Sequence, residues 1–142
     1  MVMKVPEPKT ILAVDQDPRA LLELMNGLSK AGFHVQSVTS VADALKILAA
    51  RRVDAVTVNA SLSGDMDGFQ VARKLGDDPR TRETPVILLA SNGERDFAEK
   101  CKAAGVRYFL PRPYDMSQLV GKVRDAVTRG ELAEISVGSS LK

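Results

Sequence analysis

Five times along this chain a short apolar run gives way to a stretch in which apolar residues return every three or four positions. The runs are "TILAV" at 10–14, "HVQSV" at 34–38, "AVTVN" at 55–59, "PVILLA" at 85–90 and "RYFL" at 107–110. Three of them are almost wholly apolar, as strands covered on both faces must be. Between and after them lie five helix candidates. The first carries Leu21, Met25 and Leu28, and the second carries Val41, Leu45 and Leu48 behind "SVAD", with Ser40 as N-cap. The third starts near Asp67 with Phe69, Ala72 and Leu75. The fourth carries Phe97, Cys101 and Ala104, and the fifth carries Leu119, Val123 and Val127 behind Asp115, an N-cap with Gln118 three residues on. Five strand–helix units in a row predict an α/β fold with a doubly wound parallel sheet.

At 142 residues the chain suits one domain that buries roughly two-thirds of the surface its unfolded form exposes. One cysteine, Cys101, excludes an intramolecular disulfide and a Cys-rich zinc site. The opening "MVMKVPEPK" lacks an apolar stretch of signal-peptide length, and nowhere do apolar residues run long enough to span a bilayer. A soluble, cytoplasmic protein is expected. Its net charge of +2 is spread over interleaved acids and bases, so it supplies no strong field toward nucleic acid or anionic lipid, and neither is expected as a partner. After Gly130 the composition shifts: "ELAEISVGSSLK" has only a weak apolar pattern and reads as a helical extension, a tail or a linker. The predicted domain therefore covers 9–129, with 130–142 as a C-terminal tail.

In a doubly wound sheet the ligand site lies outside the carboxyl ends of the strands. That rule gathers Asp15, Gln16 and Asp17 after the first strand, Asn59 after the third, Ala90 and Ser91 after the fourth and Arg112 after the fifth. Asp17, ahead of Pro18, has the character of a helix N-cap, and Asp65 that of a turn residue. No histidine pair or base-activated nucleophile is evident, so no catalytic residues are assigned and an enzyme is not expected. The basic residues of the C-terminal third are interrupted by Glu94, Asp96, Glu99, Asp115 and Asp125, and suit a solvated or partner-binding face.

Through "ILAVDQDP", "DAVTVN" followed by "DGF", "TPVILLAS" and "GVRYFLPRPY", the chain from about Lys9 to Arg129 resembles the receiver domain of two-component response regulators. The resemblance implies a single flavodoxin-like domain with strand order 2-1-3-4-5. It also implies a site in which two acids after the first strand and one after the third bind Mg²⁺. The latter acid takes a phosphoryl group, held by a hydroxyl after the fourth strand and a lysine before a proline after the fifth. Residue by residue, the positions here are Asp15 and Gln16, Asn59, Ala90 and Arg112, so only Asp15 keeps its type. An amide is a poor nucleophile beside a carboxylate, and the loss of two acids predicts weak or absent Mg²⁺ binding and no other cofactor. Arg112 keeps a positive charge in a larger planar fork, and a hydrogen-bonded Asp15–Arg112 contact is expected in the space of metal and phosphate.

Between Asn59 and Asp67-Gly68 the loop is one residue longer than in most receivers, which leaves Ala60 as an alternative occupant of the acceptor position. Ser91, one step past Ala90, is expected to face away from the site. The resemblance implies a cis bond before Pro113 and makes Phe109 the switch aromatic, expected in a buried rotamer. The function so implied is a degenerate receiver that signals through protein contacts without phosphorylation. Its interaction surface would be the fourth helix, fifth strand and fifth helix, with homodimerisation as one use of that face. Two alternatives stand beside it: a receiver phosphorylated on Asp65 or Asp67, and a small anion-binding or enzymatic domain reusing the crevice through Arg112.

Overall fold

A computed structural model describes residues 7–64, 66–91 and 94–140, the last ten as helical backbone. Five parallel strands, β1 (Thr10–Val14), β2 (His34–Val38), β3 (Ala55–Asn59), β4 (Val86–Leu89) and β5 (Tyr108–Leu110), form one sheet in the order β2-β1-β3-β4-β5. Five helices follow them in turn: α1 (Pro18–Lys30), α2 (Val41–Ala50), α3 (Gly68–Asp77), α4 (Phe97–Ala103) and α5 (Met116–Ser140). The architecture is the flavodoxin-like (βα)5 arrangement. Its order reverses at β1 and β3, which lie side by side with Val14 opposite Val58, so the residues that follow them share one crevice.

Alternation along the strands divides the core into two layers. Ile11, Ala13, Ala55, Ile87 and Leu89 face α1 and α5, where Leu24, Leu28, Leu119 and Val123 cover them. Leu12, Val14, Val56, Val58 and Leu88 face the other way, onto Ala44, Val71, Leu75, Phe97 and Cys101. Both sets are needed because a central parallel strand has no solvated face. The helix faces differ by a position from the sequence expectation in two places. In α1 the buried residue between Leu21 and Leu28 is Leu24, with Met25 half-buried. In α3 the buried residues are Gly68, Val71 and Leu75, with Phe69 and Ala72 at the edge. An apolar stripe is wider than a single row of side chains, so i+3 and i+4 partners compete for the same contact.

Helix starts follow local chemistry. Asp17 caps α1 by accepting from the Arg19 N–H, with Pro18 at the first helical position. Ser40 caps α2 through the Asp43 N–H. Asp67 and Gln70 form a reciprocal capping box at α3, and Asp115 and Gln118 exchange the same pair of bonds at 2.8 Å ahead of α5. The Lys9–Thr10 end of the sheet is closed by Asp54, whose Oδ2 accepts from the Thr10 N–H at 2.8 Å. That carboxylate therefore sits at the amino ends of the strands, a full strand length from Asn59. Among the described residues no helix is long and apolar enough to cross a membrane.

Cys101 is 0% exposed. Burial pushes its thiol up to about 11, with the nearby Glu94 charge adding to the rise. The thiolate is the reactive form, so at pH 8 the folded protein is expected to react with a thiol-specific reagent far more slowly than the urea-unfolded chain. Equal rates, followed by absorbance, would contradict this burial.

Candidate functional site

At the carboxyl ends of β1 and β3, Asp15 and Asn59 are in direct contact. Asn59 Nδ2 donates to Asp15 Oδ2 at 3.1 Å. The other carboxylate oxygen, Oδ1, accepts from the Asp17 N–H at 2.9 Å, and the Asp15 side chain is buried, with the residue only 6% exposed. On its far side the Asn59 amide accepts twice: Oδ1 takes the Ser61 N–H at 2.8 Å and the Ser91 hydroxyl at 2.6 Å. These contacts fix which way the amide points, since its nitrogen meets only an acceptor and its oxygen only donors. Asn59, and not Ala60, faces the crevice. Ala60 is buried in the core layer that α3 covers.

Ser91 corrects a sequence expectation. Continued pleating would turn its side chain away from the site, but β4 ends at Leu89. The residues that follow are no longer pleated, and Ser91 reaches Asn59. Ala90 continues the ladder through its N–H to Leu110 O at 3.1 Å and lies in the core.

Arg112 departs further. No hydrogen bond or ion pair joins it to Asp15, contrary to expectation. Its Nε donates to Ala90 O at 2.9 Å, and its guanidinium carbon lies 5.1 Å from the centre of the Tyr114 ring. A backbone carbonyl and an aromatic face lie within reach of the arginine stem, and the N–H donor already on each Asp15 oxygen reduces what a further donor would gain there. Burial pushes the Tyr114 phenol up; the Arg112 charge pulls it back in part, and Asp15 and Glu23 add to the rise. Tyr114 is therefore a neutral phenol at physiological pH. The Arg112–Pro113 bond is cis. Beside these residues opens a cavity of about 470 Å³ whose lining includes Asp15, Asn59, Leu24, Arg112, Tyr114 and Met116.

Gln16 has a role that sequence reasoning missed. Its Nε2 donates to Ser63 O at 2.7 Å, and its Oε1 accepts from the Ser63 N–H at 3.1 Å and the Ser63 hydroxyl at 3.0 Å. The amide thus clamps the loop after β1 to the loop after β3, a job that needs a donor and an acceptor on one side chain and that a carboxylate cannot do. Gly64, at φ 110°, supplies the turn that follows. A second tie runs from Ser61 Oγ to Glu94 Oε2 at 3.2 Å, while Lys100 holds Glu94 Oε1 at 3.0 Å. Asp67 is committed to its cap, and Asp65 lies outside the described residues.

Phe109 on β5 is half-buried and stands edge-on to Phe97 at 5.9 Å, and Phe97 stands edge-on to Phe69 at 6.0 Å. Such T-shaped pairs put a positive ring edge on a negative face. The row links the starts of α3 and α4 to β5. Among the described residues no group of three or more His, Cys, Asp or Glu side chains is placed to hold a metal ion.

The parallel sheet, its order and the crevice beyond β1 and β3 define a doubly wound, flavodoxin-like domain, and comparison with known proteins gives the family. Residues 11–124 match the response regulator receiver domain, and the chain belongs to that family. It is similar to the heme response regulator HssR of Staphylococcus aureus, with 28% identity over 131 residues, covering 90% of this chain and 57% of that protein. It therefore spans little more than half the length of such relatives. Among solved structures, a sensor protein from a Polaromonas species superimposes with a TM-score of 0.77 at 31% identity, covering 88% of this chain and 99% of the other. A response regulator receiver protein from Sinorhizobium medicae gives 0.76 at 27% identity, covering 87% and 98%. Receiver domains are signalling modules that act through partner proteins.

Proposed function

We propose that this receiver signals by protein contact and does not carry a phosphoryl group. The observation that carries the reading is the Asn59 amide, whose nitrogen donates to Asp15 and whose oxygen is taken by Ser61 and Ser91. An amide in that position neither attacks phosphorus as a carboxylate does nor leaves an acyl phosphate behind. The donor set does not fit Mg²⁺ either. A hard divalent cation needs several oxygens at close range, carboxylates above all, whereas Asp15 faces an N–H group on each oxygen and Gln16 is bound to Ser63. The Asn59 amide gives Asp15 a neutral donor, and no second carboxylate beside it among the described residues would help hold a cation.

The partner surface in this reading is the face formed by α4, β5 and α5. The Phe69–Phe97–Phe109 row keeps the switch aromatic packed against α4, so this face holds one state. Residues 9–129 form the receiver unit, and α5 carries the chain onward to Ser140. A cytoplasmic location fits this role.

Incubation with acetyl phosphate and Mg²⁺, read by intact mass, tests the proposal. The mass is expected to stay unchanged. A species heavier by one phosphoryl group, mapped to Asp15, Asp65 or Asp67, would overturn it.

A further inference from the structure

At the end of the sheet opposite Asp15 and Asn59, the α3–β4 segment and the α4–β5 turn meet the flank of α5 around a cavity of about 420 Å³. That volume lies in the range of small-molecule sites, roughly 300–1,000 Å³. Three arginines line it, one from each element: Arg82 ahead of β4, Arg107 ahead of β5 and Arg129 on α5. Glu83 is the one acid among the described lining residues. Arg129 spends its Nε on Asp125 at 3.2 Å, an exposed pair one turn apart on the same helix, and such pairs are weak. The side chains of Arg82 and Arg107 have no hydrogen bond or ion pair to any described residue. The Thr84 hydroxyl on the same lining is also without a partner among them.

The recess between these groups is empty for a structural reason. Its wall includes Ala72, Gly76, Ala104 and Gly105, and a β-carbon built at Gly76 or Gly105 would meet nothing within 4 Å. Small residues leave the recess open, and three arginines border the one volume. Guanidinium groups carry fixed charge and a planar fork suited to phosphate oxygens.

We propose that this cavity binds a small phosphorylated anion. A phosphate group carries close to two negative charges at neutral pH and three acceptor oxygens, enough to take the forks of Arg82 and Arg107 together and still accept from Thr84. Set against Glu83, and against Asp125 behind Arg129, the lining keeps a net positive charge that such a ligand neutralises. An occupant would touch Arg129 and Gly130, where α5 continues toward Ser140. The ligand thus acts on the helix that leaves the domain, without passing through the crevice at the other end of the sheet.

Magnesium-free titration of the full chain with inorganic pyrophosphate, followed by backbone amide NMR, tests this. Saturable shifts are expected at Gly76, Thr84, Gly105 and Gly130. The double variant R82Q/R107Q should weaken binding at least about tenfold, while R19Q, an exposed arginine on α1, should bind as the parent does. All three arginines are surface residues, so each variant is expected to fold, and the parent-like amide spectrum checks it. Shifts that never saturate, equal affinity in the double variant, or citrate binding as tightly as pyrophosphate would each overturn the proposal. So would tighter binding of a single-stranded oligonucleotide to the same residues, which would assign the face to a polymer.

Discussion

Gly68→Ala is expected to destabilise this protein by about 2–3 kcal/mol, and Gly68→Val by more. Gly68 is the first residue of α3 and is buried. Its N–H donates to Ala60 O at 3.0 Å, which draws the helix start onto the end of β3. A β-carbon there would collide with Asn59 O and lie 2.7 Å from Ala60 Cα. Both are backbone atoms, so no rotamer change relieves the clash, and the helix or the strand end has to move. On a total of about 5–15 kcal/mol such a loss is severe. The control lies on the same helix: Gly76 has open space at its β-carbon position, so Gly76→Ala should stabilise by about 0.5–1 kcal/mol through helix propensity. Urea unfolding midpoints with unchanged slopes measure both. If the two alanine variants shifted the midpoint alike, the close approach of α3 to β3 would not be what fixes the glycine.

The backbone that brings this approach about is legible in the sequence. "TILAV", "HVQSV" and "AVTVN" are strands with the bounds their patterning indicates; in the two central ones burial on both faces leaves little choice of residue, while β2, at the sheet edge, is more polar and only half-buried. That Asp15 and Asn59 share one crevice followed from strand ends alone; that they hydrogen-bond to each other did not. What the sequence did not disclose is how side chains in the loops spend their hydrogen bonds. Ser91 reaches Asn59 only because the pleat stops at Leu89, and alternation says nothing beyond a strand's last residue. Arg112 takes a carbonyl and an aromatic ring rather than a carboxylate whose two oxygens each hold an N–H donor already. The Gln16–Ser63 clamp depends on a loop conformation that no periodicity encodes. A donor-and-acceptor side chain facing a serine-rich loop of unusual length was the one available sign of it.

Asn59→Asp brings the same network into a functional test, and it is expected to lower stability without creating a phosphorylation site. The substitution replaces the Nδ2 donor, 3.1 Å from Asp15 Oδ2, with a second acceptor oxygen. One hydrogen bond is lost and two carboxylates face each other, at a cost of about 2 kcal/mol or more at neutral pH. The pair then holds one proton more tightly than the unfolded chain does. Below the unfolded aspartate value of about 3.9 both states are protonated at this position and the penalty is absent. As pH rises through the window from there to the pair's raised value, the unfolded chain binds fewer protons than the folded one, so stability falls with pH and then levels off. The difference between variant and parent in urea unfolding should therefore be small at pH 3.5 and full by pH 7. A flat difference would mean that the introduced carboxylate had turned away from Asp15. Mg²⁺ should recover only part of the loss, because Gln16 remains tied to Ser63 and offers the ion no charge. Acetyl phosphate should still leave the mass unchanged, since Ala90 supplies no hydroxyl and Arg112 is directed to Ala90 O. Phosphorylation of Asn59→Asp would show that the residues at 16, 90 and 112 still support the chemistry, and that the amide alone had withheld it.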